Sequence, residues 1–150
     1  MTRRNGTRVL LFVVMATLMW EPLASQGVWS QDRRPAMKVY LIPFRIETYV
    51  PVTMDDIEAK SHYAIAFMKS HRLVTDLRRW LTQNPSTRLI DNRVIRLKVQ
   101  FESEVFFVDQ DGVVFLQTRG SHFLLSEEQR QKIETEVQQF SGVVDLKPGS

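Results

Sequence analysis

RVIRLKVQF, residues 93–101, is the stretch that decides the fold, because apolar and polar residues alternate along it. A period of two residues is typical of a β-strand. One apolar side and one polar side indicate an antiparallel sheet that is covered on a single face. We therefore expect Leu97 to be buried and Lys98 to be exposed. The two predicted sides consist of Ile95, Leu97, Val99 and Phe101 on the covered side, and Arg96, Lys98 and Gln100 on the wet side.

A second alternating segment covers residues 38–50. Tyr40, Ile42 and Phe44 would share one side of this strand. Pro43 interrupts the pattern, and proline cannot donate to a strand ladder. The sequence therefore predicts that this first strand lies at a sheet edge or carries a bulge at Pro43.

Residues 105–108 and 113–116 are two further apolar runs, and they flank the sequence Asp-Gln-Asp-Gly at 109–112. This arrangement predicts a β-hairpin with a tight turn. Gly120 allows another turn, after which residues 122–125 could add a short strand.

Two amphipathic helices are predicted, at residues 70–83 and 126–141. The first has Ser70 as a possible cap and ends before Pro85. Ser126 and Gln129 have the spacing of a capping box for the second, and Gly142 is a natural stop. Their apolar stripes would cover the sheet. These stripes are formed by Leu73, Leu77, Trp80 and Leu81 in the first helix and by Ile133, Val137 and Phe140 in the second.

Residues 54–69 allow two interpretations. Thr53 and Asp56 favour a short helix at 54–59, and the alternation of Tyr63, Ile65 and Phe67 favours a strand after it. The alternative is one helix through 54–69. With the first interpretation the fold class is α+β, with an antiparallel sheet of four to six strands and two helices on one face.

The first 27 residues resemble an export signal, because Arg3, Arg4 and Arg8 precede an apolar run at 9–20 and small residues follow it. The run is short for a membrane span, which needs about 20 residues. The sequence predicts a cleaved signal peptide at 1–27, a flexible lead-in at 28–37, one domain at 38–142 and a loose tail at 143–150. Export would be to the periplasm or outside the cell. The alternative is an uncleaved segment that anchors the chain in a membrane.

Charge and composition limit the function classes. The chain has no cysteine, so it forms no disulfide. Residues 1–27 carry a net charge of +2, and residues 28–150 carry 17 basic and 16 acidic residues, a net of +1. A nucleic-acid partner is not favoured, because such domains usually carry a large basic excess.

Patterns for catalysis and for cofactor or metal binding are weak, and we predict none of these sites. The histidines are far apart in sequence, at positions 62, 71 and 122. Asp109 and Asp111 resemble the start of a calcium loop, but the twelfth position is Gly120 instead of glutamate. Ser121 and His122 are adjacent, which points their side chains apart in an extended segment. Acidic residues at 55, 56 and 58 suit a helix start.

Two function hypotheses follow. The first is an exported, non-enzymatic module that binds another protein: an inhibitor, an immunity-like protein or an accessory subunit of an envelope complex. Its candidate contact residues are Arg72, Arg78 and Arg79 on the middle helix, with Lys69 nearby, and Pro43 on the edge-like first strand. Arginine is enriched at interfaces, and extended segments can add to a sheet edge. The second hypothesis is a small exported hydrolase with an unfamiliar acidic or histidine site.

Overall fold

The structure is a computed structural model that describes residues 34–140. The predicted signal peptide, most of the lead-in and the predicted tail lie outside these residues. The described chain contains six strands and three helices, which confirms the α+β class. In chain order they are β1 Met37–Leu41, α1 Ile57–Lys60, β2 Tyr63–Phe67, α2 Arg72–Gln83, β3 Ile95–Phe101, β4 Val105–Asp109, β5 Val113–Leu116, β6 Ser121–Leu124 and α3 Glu127–Phe140.

All six strands form one antiparallel sheet in the order β2-β1-β3-β4-β5-β6. The predicted hairpin is present, and Gly112 takes a positive φ of 85° in its turn, a conformation that glycine adopts without steric cost. The segment 54–69 forms one short helix and then β2, so the alternative of a continuous helix is wrong.

The two longer helices pack on one face of the sheet, as predicted. The stripe of α2 and the buried residues of α3 belong to the same apolar cluster as the sheet residues Leu97, Val99 and Val108. Leu97 is fully buried, as the alternation predicts. Burying this layer supplies most of the driving force for folding.

The opposite face of the sheet is also partly covered. Ile42, Val52 and Ile57 form a second buried cluster there with Ile95 and Phe107. The loop between β1 and α1 therefore packs on the face that the alternation predicted to be wet. Only 15% of the Lys98 side-chain surface is exposed, because Lys98 pairs with Glu58 and lies near the rings of Tyr40 and Phe107. The prediction that Lys98 is exposed is therefore wrong.

Arg96 is the clearest departure from the predicted pattern, since it is 1% exposed. Ile95 pairs with Asp109, and Leu97 pairs with Val108. Between these two pairs β3 advances by two residues, whereas β4 advances by only one. This is a β-bulge at Arg96, and it places Ile95 and Leu97 in different clusters. Because of this bulge, two predictions are wrong: that Ile95 lies on the same side of the sheet as Leu97, and that Arg96 is exposed to solvent.

The first strand is not at an edge. β1 lies between β2 and β3 and ends at Leu41. Pro43 follows the end of the strand and is buried, and its carbonyl accepts a hydrogen bond from the Ile46 N–H at 3.1 Å. The edge prediction is wrong because the strand stops before Pro43 could interrupt a ladder.

Of the two longer helices, one begins with the cap that the sequence predicts and the other does not. Ser126 Oγ accepts from the Gln129 N–H, and Gln129 Oε1 accepts from the Ser126 N–H, which completes the capping box. In α2 the cap is His71 instead of Ser70, because His71 Nδ1 accepts from the Leu73 N–H at 3.2 Å. The His71 ring also contacts the rings of Phe67 and Phe140, which contact each other.

The two edges of the sheet differ. At β6, residues 84–86 run along the outer side, where Leu124 N–H donates to Asn84 O and Ser86 N–H donates to His122 O, both at 2.9 Å. At β2, residues 34–140 place no strand on the outer side. β2 is therefore the open edge of the described sheet.

Candidate binding surfaces

The predicted arginines lie on the exposed side of α2. Asp76 holds two of them, because its carboxylate accepts from Arg72 at 3.3 Å and from Arg79 at 3.0 Å. Arg78 lies over the Phe101 ring, 4.7 Å from its centre. A guanidinium over an aromatic face gains about 0.5–1 kcal/mol at exposed sites. Arg78 and Arg79 are therefore held in place without a buried ion pair.

A groove of about 630 Å³ runs between α2 and the end of the sheet where β1 begins and where β2 and β3 end. Two of the predicted arginines, Arg78 and Arg79, line it, and Lys69 joins them from the turn after β2. Arg72 does not line it. We call this the α2 groove, and its lining is Ala36, Lys69, Val74, Thr75, Arg78, Arg79, Thr82 and Glu102.

The charge of the α2 groove is locally positive. Three cationic residues and a single acidic one, Glu102, line it, whereas residues 28–150 as a whole carry a net charge of only +1. The sequence predicted the helical arginines with Lys69 nearby, but the contribution of Glu102 depends on where β3 ends. A local positive surface of this kind suits acidic side chains.

Pro43 does not belong to this surface. It lies beyond the Leu41 end of β1, whereas the α2 groove lies at the Met37 end. Because Pro43 is buried, it offers little contact area to a partner. The next residue, Phe44, donates its backbone N–H to Glu134 of α3, so this turn joins the sheet to α3.

A second groove, of about 520 Å³, lies near the bulge of β3. Its lining combines Arg93 and Arg96 with Glu47 and Asp91, so the charges balance. Asp91 and Arg93 pair with each other, and this contact lowers the pKa of Asp91. Burial lowers the pKa of Arg96. The balanced charge gives this groove no preference for an acidic or a basic ligand.

The groups that a hydrolase could use have structural partners. Asp56 accepts from the Thr53 N–H at 2.6 Å and pairs with Lys60, and the hydrogen bond from Lys60 lowers its pKa. Glu58 pairs with Lys98. His122 lies beside the Phe115 ring, 5.1 Å between centres. Within residues 34–140, no group of three or more histidine or acidic residues is placed to hold a metal ion.

Asp109 has the role of a turn residue. Its carboxylate accepts from the Val113 N–H at 2.8 Å and from the Asp91 N–H at 3.1 Å. Burial raises the pKa of this carboxyl group, although these backbone hydrogen bonds oppose the rise. Asp111 is exposed and pairs with Arg88. The hairpin interpretation of residues 109–112 therefore accounts for both carboxylates.

None of the protein-family models, curated proteins or solved structures compared with this chain matches it. In the described part of the chain, no helix has the length and apolar character needed to cross a membrane.

Proposed function

We propose that this protein is an exported, non-enzymatic binding module and that its α2 groove binds an acidic segment of a partner protein. The observation that carries the proposal is the convergence of Lys69, Arg78 and Arg79 on one groove. An inhibitor, an immunity-like protein or an accessory subunit of an envelope complex would all use such a surface. The partner would be met in the periplasm or outside the cell.

The arrangement of the two arginines supports binding. Guanidinium groups donate hydrogen bonds to carboxylates in a fixed planar geometry. Ordering a long side chain on binding costs about 0.5–1.5 kcal/mol. The contacts of Arg78 with Phe101 and of Arg79 with Asp76 reduce this cost, because they already restrict both side chains.

Export is the second part of the proposal, and the sequence of residues 1–27 supports it. The basic start, the apolar run at 9–20 and the small residues after it have the order of a signal peptide. If the segment were retained, it would tether the same module to a membrane instead of releasing it.

The experiment compares two double variants with the wild type. Arg78→Ala with Arg79→Ala removes the guanidinium groups of the groove. The matched control is Arg88→Ala with Arg119→Ala, since these two arginines are exposed, each pairs with one carboxylate, and both lie outside the groove. Fluorescence anisotropy would measure binding of glutamate-rich and lysine-rich peptides, and capture from host envelope extract would identify the natural partner.

We expect the wild type and the control to bind the acidic peptide and to retain the same envelope protein, and the groove variant to lose both. Binding should also weaken with added salt, because the contacts are between charges. Equal retention by all three proteins would refute the groove as the binding surface. Retention of no partner, together with turnover in a broad hydrolase screen, would favour the hydrolase hypothesis instead.

A further inference from the structure

The open edge of the sheet has a sequence that reads almost the same in both directions. β2 is Tyr63-Ala64-Ile65-Ala66-Phe67, with an aromatic residue at each end and Ile65 at the centre. It contains no charge and no proline. Charges, prolines and bulges are the usual means by which proteins protect an edge strand from pairing with another chain.

The register of β1 shows which backbone groups of β2 are free for pairing. Ile42 N–H donates to Arg96 O at 2.8 Å, and this bond continues the β1–β3 register. Because backbone groups point to alternate sides along a strand, the odd-numbered residues of β1 direct theirs to β2. Val39 pairs with Ile65. The N–H and C=O groups of Ala64 and Ala66 therefore point away from the sheet.

We propose that β2 pairs antiparallel with β2 of a second copy of this chain, about a two-fold axis at Ile65. In this register Ala64 of one copy faces Ala66 of the other, so the outward backbone groups meet each other. Tyr63 faces Phe67 of the second copy, and cross-strand aromatic pairs stabilise antiparallel sheets. Ile65 and Phe67 lie on the core side, so the apolar layer continues from one copy into the other.

The flanking residues fit the same register. His62 would face Met68, and Ser61 would face Lys69, so no two like charges are opposed. Met68 is a large apolar side chain that is 44% exposed in the described chain, and the pairing would cover part of it. A stable interface usually buries about 800 Å² on each partner. Five paired residues bury less, so we expect association that depends strongly on protein concentration.

The test uses charges at Ala64 and Ala66, which are only partly buried. Ala64→Lys with Ala66→Lys would place lysine opposite lysine in the proposed register. Ala64→Lys with Ala66→Glu would place lysine opposite glutamate. Both variants carry lysine at position 64. A register that pairs position 64 of one copy with position 64 of the other would therefore oppose two lysines in both variants, and both would fail to dimerise. Circular dichroism melts would establish that each variant is folded.

Sedimentation velocity over a concentration series measures the association of the purified proteins. We expect dimers of the wild type and of the lysine–glutamate variant, and a dissociation constant at least tenfold higher for the double-lysine variant. The Arg78→Ala, Arg79→Ala variant should dimerise like the wild type, which separates this result from that of the α2 groove. A wild type that stays monomeric at millimolar concentration, or equal loss in both charged variants, would overturn the proposal.

Discussion

Arg96 donates from Nη2 to the side-chain oxygen of Gln110 at 3.0 Å, and no carboxylate in residues 34–140 pairs with this buried guanidinium. Its other acceptors are the backbone carbonyls of Ile95 and Ile46. The backbone carbonyl of Gln110 also accepts a hydrogen bond from Arg130 Nη1, at 2.7 Å. Gln110 thus links the bulge of β3 to α3 through two arginines.

A double-mutant cycle should detect the coupling between Arg96 and Gln110. Gln110→Leu is expected to cost about 1–3 kcal/mol in the wild type, because it removes the side-chain acceptor of a buried cationic donor and leaves this donor only the backbone carbonyls of Ile46 and Ile95. In the Arg96→Met background the same change should cost close to nothing, because the donor is absent. Urea unfolding would measure the free energies. Additive effects of the two substitutions would contradict the coupling.

Leu97 and Lys98 should respond differently to truncation. Leu97→Ala is expected to destabilise the protein by about 2–5 kcal/mol, because a fully buried side chain leaves a cavity. Lys98→Ala should cost about 0.5–1 kcal/mol, since its ion pair with Glu58 is partly exposed. Thermal or urea unfolding of both variants gives the comparison. Equal losses would mean that the two sides of β3 are assigned wrongly.

Asp109 should make stability depend on pH. Its pKa is raised in the folded chain, chiefly by burial, above an unfolded value of about 3.9. The folded state therefore binds the proton more tightly than the unfolded state does. The resulting contribution of Asp109 to the free energy of unfolding is complete below the unfolded pKa and is lost as pH rises through the folded pKa. Relative to Asp109→Asn, the wild type should lose unfolding free energy as pH rises through that window. A relative gain over the same window, measured by urea unfolding, would contradict the raised pKa.

The N-terminus of the mature chain is expected between Gln26 and Asp32, since the predicted signal peptide ends at residue 27. Intact mass spectrometry of protein recovered from the host envelope would measure it. A mass that still includes residues 1–27 would exclude cleavage and favour the membrane-anchored alternative.

The regular parts of the fold were predictable because burial and periodicity coincide there. Leu97 and Val99 alternate with polar residues and are buried, and the spacing of Leu73 and Leu77 gives the buried side of α2. The capping box of Ser126 follows from residue types three positions apart, which is a local rule.

The departures depend on contacts between residues that are distant in the sequence. The bulge at Arg96 changes the facing of Ile95, and nothing in the alternation of β3 indicates an inserted residue. Pro43 favoured an edge strand, but pairing on both sides of β1 ends before it. Likewise, Glu102 joins Arg78 at one groove only because β3 ends beside α2. Contacts of this kind can be seen only in the folded chain and cannot be predicted from local sequence patterns.

The segment 84–86 along β6 has a consequence for the size of any assembly. A sheet with two free edges can add copies at both ends and grow into a filament, whereas a sheet with one free edge stops when that edge is used. Here Asn84 accepts from the Leu124 N–H and Ser86 donates to the His122 carbonyl, so residues 84–86 already pair with the outer side of β6. Self-association through β2 would therefore stop at two copies, because the covered β6 edge could not add a further copy and extend the sheet into a fibre.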